Sequence, residues 1–265
     1  MNIIKKYLKI IKIYFIGSLM KQMEYKFNFL FGGVFELVWL LMYLVFINII
    51  FINTGTIGGW NRYEIMLLTF QGGLTDAVFT FAIVPGLGML PSLINTGNLD
   101  FYLLKPVNNR FILSTHDYDF PQIKNILFNI LGIIFCIYKL NLSLSMKRIL
   151  GYIILSVLGF IIIYCIMLIL MSLGFWLLRL DVVMSIGSQL ITIGNKPFSI
   201  YPNLIQKILI YILPILIAFN FPVLHLMDSL SIFQYILAFF ITLLWWGLAE
   251  IILRRGIKRY VSASS

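Results

Sequence analysis

The sequence predicts an all-α integral membrane protein with about six transmembrane helices, and three observations carry that prediction. Of its 265 residues, 61% are hydrophobic and only 11% are charged, against roughly 25% charge in soluble domains. The mean hydropathy is +0.98. The apolar residues gather into runs near 29–51, 65–90, 123–140, 149–178, 204–226 and 232–253. A bilayer core of ~30 Å takes about 20 helical residues to cross, and lipid offers the backbone no outside hydrogen-bond partner, so such runs read as helices.

Taking the elements in order, Lys5, Lys9 and Lys12 recur at helical spacing between Asn2 and Phe15, while Ile4, Leu8, Ile11 and Phe15 form a second stripe. That pattern predicts, within residues 1–26, a cytoplasmic helix lying in the membrane interface, lysines toward anionic headgroups and aliphatics toward the acyl chains. The plainer alternative is a basic leader that only fixes topology. The lysines also interrupt the first apolar stretch and no small-residue cleavage site follows, so the first span itself is expected to direct insertion.

Charge placement orients the spans. With both termini inside, six basic residues precede the first span, three lie in or just past each loop after the second and fourth spans (Lys105, Arg110, Lys124; Arg179, Lys196, Lys207), and four close the chain. Arg62, Lys139, Lys147 and Arg148 are left outside, so the positive-inside rule favours cytoplasmic termini, with the cluster at 139–148 running against it. The formal charge of +10 is thereby assigned to topology rather than to nucleic acid.

The outer loops are expected to be short: 54–62, 141–148 and 227–231. The two longer connections, 91–122 and 179–203, are expected on the cytoplasmic side, the second with a short helix over 182–193 ended by Gly194. The fifth run contains Pro214 and Pro222 and is expected to be kinked or partly re-entrant. Residues 254–265 read as a basic cytoplasmic tail. Without an internal repeat or a linker, residues 1–265 read as one transmembrane domain.

The sharpest local pattern lies in the first long loop, in Gly97-Asn98-Leu99-Asp100-Phe101-Tyr102-Leu103-Leu104-Lys105-Pro106-Val107-Asn108. Asn98 is placed to cap a short helix, Asp100 to sit in its first turn and Lys105 in its last, with Pro106 stopping it at Leu104 or Lys105. A capped amphipathic helix in a loop between two spans suits a docking surface.

Little else suggests chemistry. The nearest approach to a phosphate-binding loop, Gly194-Asn195-Lys196-Pro197, has neither the spacing nor the hydroxyl. His116 and His225 lack partner ligands and are read as ordinary hydrogen-bonded side chains. Ser114, His116, Asp117 and Asp119 crowd one loop without the supported geometry a triad needs. Cys136 and Cys165, each inside a span, are read as packing residues, and no metal site is expected. Most aromatic residues, 16% of the chain, are assigned to lipid packing and interfacial anchoring.

Ionisable groups inside spans are costly, so Glu36, Asp76 and Glu250 need a role. Glu36 and Glu250 are expected to pair with Lys26 or Arg254 across helix ends. Asp76 follows Gln71, Gly72, Gly73 and Thr75, and two readings stand: a polar lining of a transport path or protomer interface, or a hydrogen bond to Thr or Tyr on a neighbouring helix.

The loop motif resembles the Gly-x-Leu-Asp-x-x-Leu-Leu-x-Pro-Val pattern of ABC type-2 exporter permeases of the six-span branch. The likeness extends to Trp60-Asn61-Arg62-Tyr63-Glu64 at the start of the second span and to the basic C-terminal end. The resemblance implies a transport subunit with no ATPase site and no cofactor of its own, in a bacterial cell membrane. Its partners would be a second permease, alike or paralogous, and a separate ABC ATPase carrying ATP and Mg. It further implies that Asn98, Leu99, Asp100, Phe101, Tyr102, Leu104, Lys105, Pro106 and Asn108 form the coupling element that the ATPase grips. Export of a drug, peptide, lipid or glycan would follow. The competing expectation is a proton-coupled carrier with Asp76 as relay, which would want inverted repeats the sequence does not display. A lipid-modifying membrane enzyme would want a clustered acid, base or metal set.

Overall fold

The computed structural model describes residues 3–24, 26–177 and 181–260, without the side chains of residues 3, 26–37, 39, 40 and 181–185. Helix α1 (Ile3–Glu24) runs without a span's uniform burial: Ile4, Leu8, Met20 and Met23 are more than half exposed, while Ser18 is buried. Helix α2 (Lys26–Asn53) is long enough to cross a bilayer. Helix α3 (Arg62–Ala82) opens on a capping box: Asn61 Oδ1 accepts the N–H groups of Tyr63 and Glu64 at 2.9 and 3.1 Å, and Glu64 accepts the Asn61 N–H.

The apolar run expected to continue to residue 90 instead breaks at Ile83, two residues before Pro85. A proline ring disfavours the helical conformation before it and removes a donor. The chain then forms α4 (Val84–Leu87), α5 (Leu90–Thr96), α6 (Asp100–Leu103) and α7 (Asn109–Thr115) before rejoining the bundle. Long helices follow in α8 (Gln122–Lys139) and α9 (Met146–Ser172), the latter extended by a 3₁₀ turn to Phe175. Next come α10 (Asp181–Gly194), α11 (Asn203–Lys207) with a π-helical turn over Ile208–Ile212, α12 (Ile215–Leu226) and α13 (Ile232–Arg259). Among the described residues there is no strand, and α3, α8, α9 and α13 are each long and apolar enough to cross a membrane.

The main packing is α3 on α8, and α9 on both α12 and α13. Leu67, Leu68 and Phe79 of α3, Ile162 and Leu168 of α9 and Phe219 of α12 are essentially fully buried in one core. A Cβ at Gly159 would stand 2.6 Å from the Ala218 carbonyl oxygen, so the α9–α12 approach requires a residue without a side chain.

The two ends of the bundle are distinct. At the end carrying both termini, the near end, the Tyr260 hydroxyl donates to Gly97 O at 2.9 Å and Lys6 donates to Pro106 O. At the far end Arg148 pairs with Asp228, and His225 bonds Tyr235 and the Arg148 carbonyl.

This division corrects the expected path of the second long connection. The helix expected over 182–193 and ended by Gly194 is present as α10, but residues 195–203 do not lie with the termini. Ser199 donates to Gly58 O at 2.6 Å and Phe198 packs edge-on against Trp60, both before α3 at the far end. The fifth crossing is therefore α10, packed on α9 through Gly187 against Met167, and completed by the stretch after it. Fourteen helical residues rise ~21 Å, and the turn at 195–197 with the 3₁₀ helix Phe198–Ile200 carries the chain on to the far end. The run 204–226 is a bent pair whose halves meet at 99° around Pro214, and it enters and leaves at the far end. Lys196 and Lys207 thereby leave the near end, which still carries the larger share of Lys and Arg.

A smaller correction concerns the end of the last helix. The basic residues at 254, 255, 258 and 259 belong to the last turns of α13 rather than to a tail. The pairing expected of Glu36 lies outside the described residues.

Candidate docking site and its buried anchor

The docking loop is shaped by one glycine and one leucine. Gly97 ends α5 in the left-handed region at φ 73°, a conformation that costs a glycine little. The chain reverses, Leu99 N–H donates to Leu93 O at 3.2 Å, and the Leu99 side chain is 0% exposed. Asn98 does not cap the next helix; its Nδ2 donates to Thr96 Oγ1 at 3.1 Å, and α6 starts after Leu99 with no side-chain cap. Burying a leucine is worth about 2 kcal/mol, and an N-cap about 1. The turn that plugs Leu99 into the core therefore prevails over the one that would let Asn98 cap.

The nine residues assigned to docking separate by role. Phe101 and Leu104 project from the near end at 68% and 82% exposure. Leu99 cannot meet a partner at all. Tyr102 meets the His116 ring at a tilt, centroids 4.9 Å apart, with the Lys105 ammonium 4.8 Å from its own ring, and Lys105 donates to Tyr14 of α1 at 3.1 Å. Asp100 faces the Tyr260 hydroxyl. Pro106 supplies the carbonyl that takes Lys6. Asn108 caps α7, accepting the Phe111 N–H at 3.3 Å and donating its own N–H to Tyr7. Phe101 and Leu104 therefore form the apolar part of the outward face, and the others fix its frame.

Helix α1 is clamped to the same loop. Ser18 donates to Asp117 at 2.5 Å and Lys21 pairs with it at 3.3 Å. Burial alone would raise the Asp117 pKa, but Ser18, the Tyr118 N–H and Lys21 together hold it below the ordinary carboxylate value. Burial holds the His116 imidazole below its usual pKa, and its Nδ1 faces Ile112 O at 3.1 Å. Ser114 bonds Tyr164 and Asp119 takes the Gln122 amide, so Ser114, His116, Asp117 and Asp119 do not converge.

Beneath the loop lies a cation that the sequence reading used only for topology. Arg110 of α7 is 6% exposed; its Nε donates to Tyr164 of α9 at 3.0 Å and its Nη1 lies 3.5 Å from Glu250 of α13. Its guanidinium lies 3.7 Å from the centre of the Trp246 ring. Ser114 Oγ and Tyr164 Oη are 2.8 Å apart, and Glu250 also holds Arg254 at 2.5 Å, the pairing expected from spacing. The Asn108 cap, with Arg110 and Ser114 four apart on the helix it starts, was the signal that could have found this anchor.

The proposed polar lining divides as well. Gln71 and Thr75 are buried in the α3–α9 seam, where Tyr152 donates to Gln71 Oε1 and Gln71 Nε2 donates to Thr75 at 3.2 Å. Asp76, about 100° further round the helix, is exposed and takes part in no hydrogen bond or ion pair among the described residues. A second unread polar residue, Asn220, is 0% exposed. It accepts the Phe198 N–H at 3.0 Å and donates to Gly194 O and Lys196 O at 3.0 and 3.1 Å, pinning the end of α10 to α12.

A family model described as "ABC-2 family transporter protein" matches residues 37–264. No curated protein and no solved structure matches the chain. The match spans nearly everything after α1, and its subject is a membrane transport subunit rather than a catalytic enzyme. An all-helical chain of membrane-crossing length, with the loop motif between its second and third spans, thus belongs to the ABC-2 family of membrane transport proteins.

Proposed function

We propose that this chain is the permease of an ATP-driven exporter in a bacterial cell membrane, and that a separate ATP-binding subunit docks on α6. The observation that carries the reading is the exposure of Phe101 and Leu104 on a one-turn helix whose every flank is tied down. An exposed apolar pair on a rigid frame is suited to be gripped. ATP and Mg belong to the partner, and the near end with both termini faces the cytoplasm, as its larger share of Lys and Arg favours.

Force applied to α6 has two defined routes into the bundle. One runs through α7 and Arg110 to α9 and α13; the other runs through the Asp119 N–H, which donates to Phe81 O at 3.0 Å, to the end of α3. Closure of the ATPase pair would tilt these helices together and alternate access to the path, a rigid-body switch between two packed states.

A second permease subunit completes the assembly. The exposed Asp76 carboxylate is costly against lipid, so water in a path or a facing subunit is the environment it requires. Drugs, peptides, lipids and glycans remain the candidate cargoes.

The test is co-purification. The wild-type chain, expressed with its native neighbours, is expected to bring down an ATPase bearing a phosphate-loop signature and to stimulate its hydrolysis. The variant Phe101→Asp/Leu104→Asp should lose both at equal membrane abundance. Retention of both by the variant removes the docking assignment. Asp76→Asn is expected to impair export without loss of expression, and unchanged export would remove its role.

A further inference from the structure

Two of the basic residues at the far end, Arg62 and Lys139, run against the positive-inside pattern. Arg148, also there, has Asp228 as its partner. Arg62 and Lys139 line one cleft of about 510 Å³ between the end of α2, the start of α3 and the end of α8. No acidic residue lines it; the remaining walls are Asn48, Phe51, Ile52, Gly55, Asn61, Tyr63 and Leu140. The nearest carboxylate in sequence, Glu64, accepts the Asn61 N–H at 2.7 Å.

The two cations are held toward one another by rings. Arg62 lies 5.4 Å from the centre of Tyr63, Lys139 lies 5.8 Å from the centre of Phe135, and Tyr63 and Phe135 meet edge to face at 6.3 Å. The positive groups therefore flank a single aromatic pair. Asn48 adds a polar amide to the wall. One wall is Ile52, 78% exposed, beside Phe51, an apolar flank suited to an acyl chain.

We propose that this cleft binds the headgroup of an anionic phospholipid in the leaflet at the far end. The phosphodiester sits between Arg62 and Lys139, and the acyl chain lies along Phe51 and Ile52. Guanidinium and ammonium supply charge-assisted hydrogen bonds to phosphate oxygens, and the low-polarity surroundings strengthen them. The bound headgroup would bridge α2 and α8, holding the first span against the third at the end away from the docking loop. The proposal requires only that the chain spans a membrane; it does not depend on the ATPase reading.

The experiment uses the full chain purified in a neutral detergent, with thermal unfolding followed as lipid is added. Phosphatidylglycerol is expected to raise the melting temperature saturably, while phosphatidylcholine leaves it unchanged. The variant Arg62→Gln/Lys139→Gln should need at least about tenfold more phosphatidylglycerol for the same shift. Lys147→Gln, a far-end cation outside the cleft, should behave as wild type. Inorganic phosphate alone giving the full shift, lost in the double variant, would retain the anion site and reassign its source to solution. An equal response of wild type and double variant to phosphatidylglycerol, or an equal response of wild type to both phospholipids, overturns the proposal.

Discussion

The two long connections, 91–122 and 179–203, look alike in sequence, each a polar interruption with glycine and proline between apolar runs. In the structure they lie at opposite ends. The first leaves the bundle at Ile83 and returns at Gln122, with both exits at the near end and its fixed points reaching α1 and α13. The second contains a crossing helix and a turn tied to Gly58 and Trp60 at the far end. What separates them is how a buried polar residue ties each to the bundle. Arg110 points into the bundle from a loop that stays outside it, whereas Asn220 satisfies three backbone groups of a segment that has entered it.

Breaking the second arrangement should have the largest effect. Asn220→Leu strands the Phe198 N–H and two carbonyls in a buried site, at about 1–3 kcal/mol each. The variant is expected to lose most of its folded yield, read by gel filtration and thermal unfolding of the purified chain. Wild-type stability would show that the α10–α12 pin carries no weight.

The next effect belongs to the first connection. Arg110→Met leaves Glu250 with Arg254 alone and removes the ring stack and the bond to Tyr164; breaking a buried pair of this kind costs about 3 kcal/mol. Arg110→Lys keeps the charge but not the planar fork, so it should recover only part of the lost melting temperature. Full recovery by lysine would reduce the anchor to charge alone.

The clamp on α1 is smaller and carries a pH signature. Because the folded Asp117 pKa is depressed, its contribution is present above the unfolded value of about 3.9 and is lost as pH falls through the folded one. The difference in Tyr118 amide protection between wild type and Asp117→Asn should stay constant from about pH 8 to 5, shrink as pH falls through about 4 and vanish only below the folded Asp117 pKa. A difference that already disappears between pH 7 and 5 would contradict the cause assigned here. The smallest stability effect, within about 0.5 kcal/mol, is expected for Leu104→Asp, which should act on partner binding alone.

Much of the fold was legible because hydropathy reports bilayer crossings directly: α2, α8, α9 and α13 follow their apolar runs closely, and α3 follows its own until the break before Pro85. The fifth crossing was not, because α10 is only 14 residues long and completes its path through a turn at Pro197 and a short 3₁₀ helix. A run-length criterion passed over it in favour of the longer apolar stretch at 204–226. Pro214 and Pro222 did signal a kinked or re-entrant segment, and the bend falls at Pro214. In the docking loop, the helix stop before Pro106 followed from local rules. The start did not, because Leu99 is drawn into a core whose other members come from distant parts of the chain. Arg110 and Asn220 were hidden for the same reason: their partners lie 54 and 140 residues, and 22 to 26 residues, away.

The contrast between the two connections can be measured by accessibility in intact cells. Asn95→Cys places a thiol on the exposed side of the first connection and Ile200→Cys places one on the second, while the native Cys136 and Cys165 are buried. A membrane-impermeant maleimide is expected to label position 200 in intact cells and position 95 only after permeabilisation. Labelling of both positions from the same side would contradict the account.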